Sequence, residues 1–168
     1  MDYQEIIDKY YPNDNELKHI LLTHSKSVAQ KALQIAALHP ELNLDKTFLE
    51  EAAMLHDIGI FRCDAPGIYC YGDEPYLRHG VIGAGLIRDE GYPKHARVCE
   101  RHTGTGLPGM HPETMEEKVI CYADKFFSKT HLDHERTVEE AYRSLLKFGQ
   151  ETASRLLYWT AIFDNCKL

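Results

Sequence analysis

Four histidines and two aspartates, His24, His56, Asp57, His79, His102 and Asp124, fall on or beside the apolar stripe of segments with a helical hydrophobic rhythm. A fold that buries those stripes buries the six polar groups with them. A buried carboxylate persists only when it is paired, hydrogen-bonded or bound to a metal. No buried stripe of Arg or Lys answers the two aspartates, so the pattern points to metal. Imidazole nitrogen and carboxylate oxygen suit iron, manganese, zinc, cobalt or nickel. Six such side chains exceed the needs of one tetrahedral ion and fit two ions sharing a bridging carboxylate. The adjacent pair His56-Asp57 supports this, because helix neighbours project about 100° apart. One can then serve a single ion while the other reaches between two.

The rest of the chain reads as helix throughout. Alternating β-branched runs are missing and a 3.6-residue period dominates. A first helix covers about Asp2 to Tyr10 and stops at Pro12. Asn13 or Asp14 is placed to cap the next, which carries Leu17, Ile20, Leu21, His24, Val28, Ala32 and Ile35 on one face and closes at Pro40. A third, from about Asp45, turns Phe48, Leu49, Ala52, Ala53, Leu55 and His56 inward, with Gly59 in the C′ position. Residues 60–75 form a long loop, and helices follow from about Tyr76 to Glu90, around His95 to His102, and from about Glu113 through Asp124 and Phe127. Thr137 to Phe163 reads as one or two amphipathic helices containing Trp159. The expectation is an all-α single domain over 1–168, a bundle of about six to eight helices.

Composition narrows the functional classes. With 43% apolar and 27% charged residues in 168, the chain is of ordinary globular type. A formal charge of −7 argues against a partner that is a nucleic-acid polymer, whose binders show a basic face. No apolar run approaches a membrane span, and the acidic N-terminus does not resemble a signal peptide. The five scattered cysteines, Cys63, Cys70, Cys99, Cys121 and Cys166, form neither a disulfide framework nor a thiolate metal site. A reduced, cytoplasmic protein is expected.

The order His24, then Leu-His-Asp-Ile-Gly at 55–59, Arg-His-Gly-Val-Ile-Gly-Ala at 78–84, Glu-Arg-His-Thr-Gly at 100–104 and Glu-Lys-Val-Ile-Cys-Tyr-Ala-Asp-Lys at 117–125 resembles the HD-domain metal-dependent phosphohydrolases. The subgroup is the one with two extra histidines between the His-Asp doublet and the last aspartate. The resemblance spans about 17–130 and leaves helices within 131–168 as accessory. It implies His24, His56, Asp57 and Asp124 around one ion, with His79 and His102 holding a second and Asp57 as bridge. Iron is the first expectation, with manganese, cobalt, nickel or zinc as substitutes. The implied activity is hydrolysis of a phosphate ester or anhydride of a nucleotide-like small molecule by a metal-bridging hydroxide. Phosphomonoesterase, phosphodiesterase and dinucleoside polyphosphate hydrolase all fall within it, with Asp57 as the catalytic carboxylate. Arg62, Arg101 and Lys125 are candidate substrate-binding cations because each lies close in sequence to a ligand. The alternatives are a di-iron oxygenase of the same superfamily and a non-catalytic metal- or nucleotide-binding module. The apolar C-terminal helices leave a homodimer open.

Other features have plainer readings. His19, His39, His95, His111, His131 and His134 are assigned to the surface, and Glu113, Glu116 and Glu117 to a solvated helix face. Gly91-Tyr92-Pro93 is read as a turn and a helix start, although such a triplet marks cyclic-dinucleotide phosphodiesterases of the superfamily. Tyr69, Tyr71 and Tyr76 are assigned to packing their loop down. The glycines of 103–112 would allow close approach of backbone to phosphate.

Overall fold

A computed structural model describes residues 1–104 and 110–164. The central part of the 103–112 loop and Cys166 therefore lie outside the described residues. Eight α-helices are found among the described residues: α1 (Tyr3–Tyr10), α2 (Glu16–Leu38), α3 (Lys46–Leu55), α4 (His79–Asp89), α5 (Pro93–Arg101), α6 (Met115–Asp124), α7 (Val138–Leu145) and α8 (Gln150–Phe163). The all-α expectation holds for the architecture, with two small exceptions. β1 (Asp64–Ala65) pairs antiparallel with β2 (Cys70–Tyr71), and β3 (Phe127–Ser128) pairs with β4 (His131–Glu135) across an irregular register. β1, β2 and β3 are only two residues long, and the five-residue β4 is exposed except at Leu132, so none shows a period-2 pattern that the sequence could announce.

The helix starts follow capping chemistry. Asp2, Asn15, Asp45, Thr114 and Thr137 each accept a bond from the backbone N–H three residues on. Asn15, rather than Asn13 or Asp14, caps α2. Thr114 and Thr137 form full capping boxes with Glu117 and Glu140, which satisfy two orphan donors reciprocally. Glu117 does not lie on a solvated face. It is 3% exposed, its carboxylate accepts from the backbone N–H of Glu113 and Thr114, and Arg97 donates to it at 2.8 Å. A carboxylate at a helix N-terminus with an arginine partner can be buried without penalty from unpaired charge.

The long helix α2 runs through the middle, packing against α3 and α6, while α4 packs on α5 and on the segment 58–62, and α7 packs on α8. Leu21, Val28, Leu49, Leu55, Ile58, Ile87, Val98 and Ile120 fill the common core and are essentially inaccessible. Alanines at 29, 32 and 36 on α2 and at 52 and 53 on α3 are buried too, and their small side chains let the two helices approach closely.

Gly59 does not end a helix in the C′ position. α3 stops at Leu55 with His56 as its cap, and Gly59 sits in a 3₁₀ segment, Ile58–Arg62. Its role is close approach: a Cβ there would lie 2.4 Å from the carbonyl oxygen of His79 and 2.5 Å from the Gly83 nitrogen. Gly80 does the same between α4 and α5, where a Cβ would fall 2.6 Å from the Cys99 carbonyl oxygen. These two glycines let the ends of α3, α4 and α5 meet at one place. Gly59→Ala should therefore overpack that junction and cost about 1–3 kcal/mol. Thermal unfolding should show a midpoint several degrees lower, and an unchanged midpoint would mean that the junction is looser than these distances imply.

Candidate metal centre

Three of the four histidines are located by the way their helices begin or end. His56 is the C-cap of α3, His102 is the C-cap of α5, and His79 opens α4. Each points Nδ1 at a backbone carbonyl three residues earlier: His56 at Ala53 (2.5 Å), His79 at Tyr76 (2.5 Å) and His102 at Cys99 (2.6 Å). A carbonyl oxygen only accepts, so each Nδ1 carries the hydrogen. In the neutral ring Nε2 is then a bare lone pair. His24 comes from the middle of α2, and Asp124 is the last residue of α6.

All the Nε2 atoms turn toward Asp57, which is completely buried. Its Oδ2 lies 3.1 Å from His24 Nε2 and 3.0 Å from His56 Nε2, and its Oδ1 lies 3.2 Å from the Nε2 of both His79 and His102. Asp124 Oδ1 completes the first set, at 2.9 Å from His24 and 3.2 Å from His56. The sequence-derived residues thus gather into two groups that could each hold an ion, His24-His56-Asp57-Asp124 and Asp57-His79-His102, sharing Asp57. The His79 and His102 Nε2 atoms are only 3.0 Å apart. With both Nδ1 positions protonated, two lone pairs and a carboxylate oxygen face one another. Only a cation or an added proton relieves that arrangement. Asp57 makes no regular hydrogen bond, its one fixed cation is the Lys129 ammonium 2.8 Å from Oδ2, and Oδ1 faces only imidazole nitrogens, so this buried carboxylate calls for further positive charge. The residues therefore fit a metal on the geometry alone.

The electrostatics point the same way. Burial raises the pKa of Asp57, but His56 and Lys129 outweigh it and hold the carboxyl well below its ordinary range. Asp124 is likewise held well below by its bonds to His24 and His56, against the effect of burial. For His56, burial pushes the pKa down, yet Asp57 and Asp124 overcome it and raise the group to about 10. His102 behaves oppositely: burial dominates and lowers it to about 4, despite Asp57.

One side of the centre opens into a cavity of about 570 Å³, lined by His79, His102 and Asp124 together with Tyr76, Lys125, Lys129, Arg136, Lys147 and Phe148. Of the three cations expected from the sequence, only Lys125 reaches this wall. Its ammonium donates to the carbonyls of His102 (2.8 Å) and Cys121 (3.0 Å). Arg62 is exposed and lies over the Phe61 ring, 5.4 Å from its centroid, away from the cavity. Arg101 donates to the His111 carbonyl and to Glu113, which ties it to the following loop instead. Lys129 was missed. It approaches Asp57 Oδ2 to 2.8 Å from the turn between β3 and β4, and Asp57 raises its pKa against the effect of burial. A lysine five residues beyond a ligand carries no signal until the hairpin that aims it is known. Two of the histidines assigned to the surface are enclosed: His39 bonds Glu41 at 2.8 Å and His95 bonds Glu51 at 3.0 Å.

Comparison with known proteins changes the functional expectation. The chain is 29% identical over 163 residues to a tRNA (cytidine(56)-2′-O)-methyltransferase of Thermoplasma volcanium, covering 89% of this chain and 42% of that protein. It is 23% identical over 158 residues to the protein of the same name from Picrophilus torridus, covering 81% and 42%. The chain thus spans less than half the length of these curated relatives. No solved structure matches it. The relatives are enzymes, but their named chemistry is methyl transfer to a ribose oxygen of tRNA. That overturns the expected phosphohydrolase acting on a nucleotide-like small molecule and the oxygenase set beside it. It overturns equally the expectation that no nucleic-acid polymer is involved. The physical reasons are plain. A His/Asp set specifies an ion and leaves the reaction open. A net charge of −7 is a sum over the whole surface, whereas a polymer meets one face, and here four cations share one cavity wall.

Because His56 is raised to about 10, it carries a second proton at neutral pH in the metal-free protein. A metal must displace that proton, so apparent affinity should rise with pH by about tenfold per unit between roughly pH 6 and 9. Competition titration against a chelating dye measures this, and a flat profile would mean that His56 is no ligand. All six converging side chains lie within residues 21–128, where the chain matches the family model described as HD domain, and the chain belongs to that family.

Proposed function

We propose that this chain is a metal-dependent HD-type unit of tRNA modification, in which the His/Asp centre holds two divalent transition-metal ions and the adjoining cavity receives the phosphate–ribose backbone of a tRNA. The observation that carries the reading is a junction of two features in an acidic chain. A buried imidazole–carboxylate centre faces the same cavity as Lys125, Lys129, Arg136 and Lys147. Phosphates are the ligands that both halves of such a wall favour, through cations on one side and bound metal on the other. The names of the Thermoplasma volcanium and Picrophilus torridus relatives supply the class of polymer.

His24, His56, Asp57 and Asp124 would hold one ion, and Asp57, His79 and His102 the other. Iron is the first candidate, since the donor set is one that iron, manganese, cobalt, nickel and zinc all accept. Bound there, the ions supply Lewis acidity and an anchoring point for oxygen. The chain's own residues do the rest. Lys125, fixed by the carbonyls at the ends of α5 and α6, presents its charge at the cavity wall, and Arg136, held by the Lys125 carbonyl at 3.1 Å, extends that charge. A sulfonium methyl donor is itself cationic and would be repelled by this wall. This chain therefore contributes tRNA engagement, and the methyl donor is handled elsewhere in the modification system.

Two measurements test the proposal. Metal analysis after loading with iron, manganese or cobalt should find two equivalents in the wild type, about one in His79→Ala and almost none in Asp57→Ala. Binding of a tRNA transcript, followed by anisotropy, should weaken about tenfold or more in Asp57→Ala. Its dependence on salt should have a log–log slope of about −3, since four cations each contribute roughly 0.7–0.9. A fully metallated protein that ignores tRNA at low salt would remove the tRNA reading and leave the metal centre standing.

A further inference from the structure

The match to the HD family model ends at residue 128, and the next residue is the lysine whose ammonium touches the shared carboxylate. Lys129 rides on the turn between β3 and β4, which is braced by Ser128 Oγ accepting from the Thr130 N–H at 3.1 Å and contacting its hydroxyl at 2.8 Å. Its side chain is 13% exposed and lies 5.6 Å from the centroid of the Tyr76 ring. The contact with Asp57 Oδ2 is an ion contact at 2.8 Å, on the same oxygen that faces His24 and His56. Two cations, an ammonium and a divalent ion, therefore seek one carboxylate oxygen in a buried site. Like charges at such range and low dielectric repel strongly. The side that offers relief is the cavity, where Lys129 already forms part of the wall beside Lys125, Arg136 and Lys147.

We propose that Lys129 is a competing internal cation for the His24-His56-Asp57-Asp124 site: it occupies Asp57 Oδ2 when that site is empty, and metal loading turns its ammonium into the cavity, where it becomes an anion contact. Metal loading and the binding of a phosphate-bearing ligand are thereby coupled through one side chain. The inference rests on the metal centre and is independent of the tRNA assignment. It concerns a residue outside the six ligands, and its readouts are affinities.

The test compares the wild type, Lys129→Gln and Lys129→Arg as full chains, with thermal unfolding to confirm that each is folded. Metal affinity is measured with manganese or cobalt alone. Lys129→Gln should bind the metal about tenfold more tightly or better, the scale on which a charge a few ångström away moves a proton's affinity for a carboxylate. Lys129→Arg, which keeps the charge, should stay close to the wild type. In the fully loaded proteins, inorganic pyrophosphate should bind about tenfold more weakly to Lys129→Gln than to the wild type. Unchanged or weaker metal binding by a folded Lys129→Gln protein would overturn the competition. Undiminished pyrophosphate binding by that loaded variant would overturn the second role. A wild type that takes up no metal would overturn the centre and this coupling together.

Discussion

One carboxylate determines how the helices of this protein meet. Asp57 has no exposed surface, and its two oxygens face different sets of imidazoles. Without a metal the surrounding groups are mostly acceptors, the two Asp57 oxygens, the Asp124 carboxylate and the Nε2 lone pairs of the neutral rings, answered by the Lys129 ammonium and a second proton on His56. Such a cluster is stable only around positive charge. The ends of α3, α4, α5 and α6 and the middle of α2 are all anchored to it. A metal bound there would therefore be linked to the packing of five helices, as in small domains where ligand convergence and folding are thermodynamically coupled.

The helix termini do two jobs there. The last carbonyls of an α-helix lack partners within the helix. At the ends of α3 and α5 the Nδ1–H groups of His56 and His102 supply partners for the carbonyls of Ala53 and Cys99. The same bond fixes the ring tautomer and aims Nε2 at Asp57, as partners behind a metal's ligands commonly do. Terminating the helix and orienting the ligand are the same interaction. This explains how ligands so far apart in sequence can be set within about 3 Å of one carboxylate.

That dual use also explains what could be read in the sequence. His24, His56, Asp57, His79, His102 and Asp124 stood out because each put a polar group on an apolar stripe, and helical periodicity sufficed to see it. The helices themselves were legible for the same reason. Gly59 was legible as a special position but misread, because its requirement comes from α4, whose His79 carbonyl would collide with a Cβ. Nothing local encodes a contact across twenty residues. Glu117 looked like one more acid on a wet face, and its burial depends on Arg97 from another helix and on the capping geometry of Thr114. The hairpins escaped notice because three of their strands are two residues long and β4 is exposed almost throughout, which leaves no alternation to see, and Lys129 escaped with its hairpin. Arg62 and Arg101 illustrate the converse: sequence proximity to a ligand does not aim a long side chain, and both turn to other partners.

The His/Asp cluster and the cationic cavity wall come from different parts of the chain. Every ligand lies inside the stretch that matches the HD family, while three of the four wall cations, Lys129, Arg136 and Lys147, lie beyond it. The His/Asp half of the site therefore lies in the stretch that matches the family, and most of the cationic half of the wall comes from a hairpin, the residue after it and the segment that follows α7. In the proposed reading, a polymer with a phosphate backbone would meet that second half. Its attraction depends on charge concentrated within a few ångström, since at physiological ionic strength the acidic residues on the far surface are screened beyond about 8 Å. Net charge averages over the distances that screening removes. A local wall of four cations and a total of −7 are consequently compatible, and the wall is the part that a bound anion experiences.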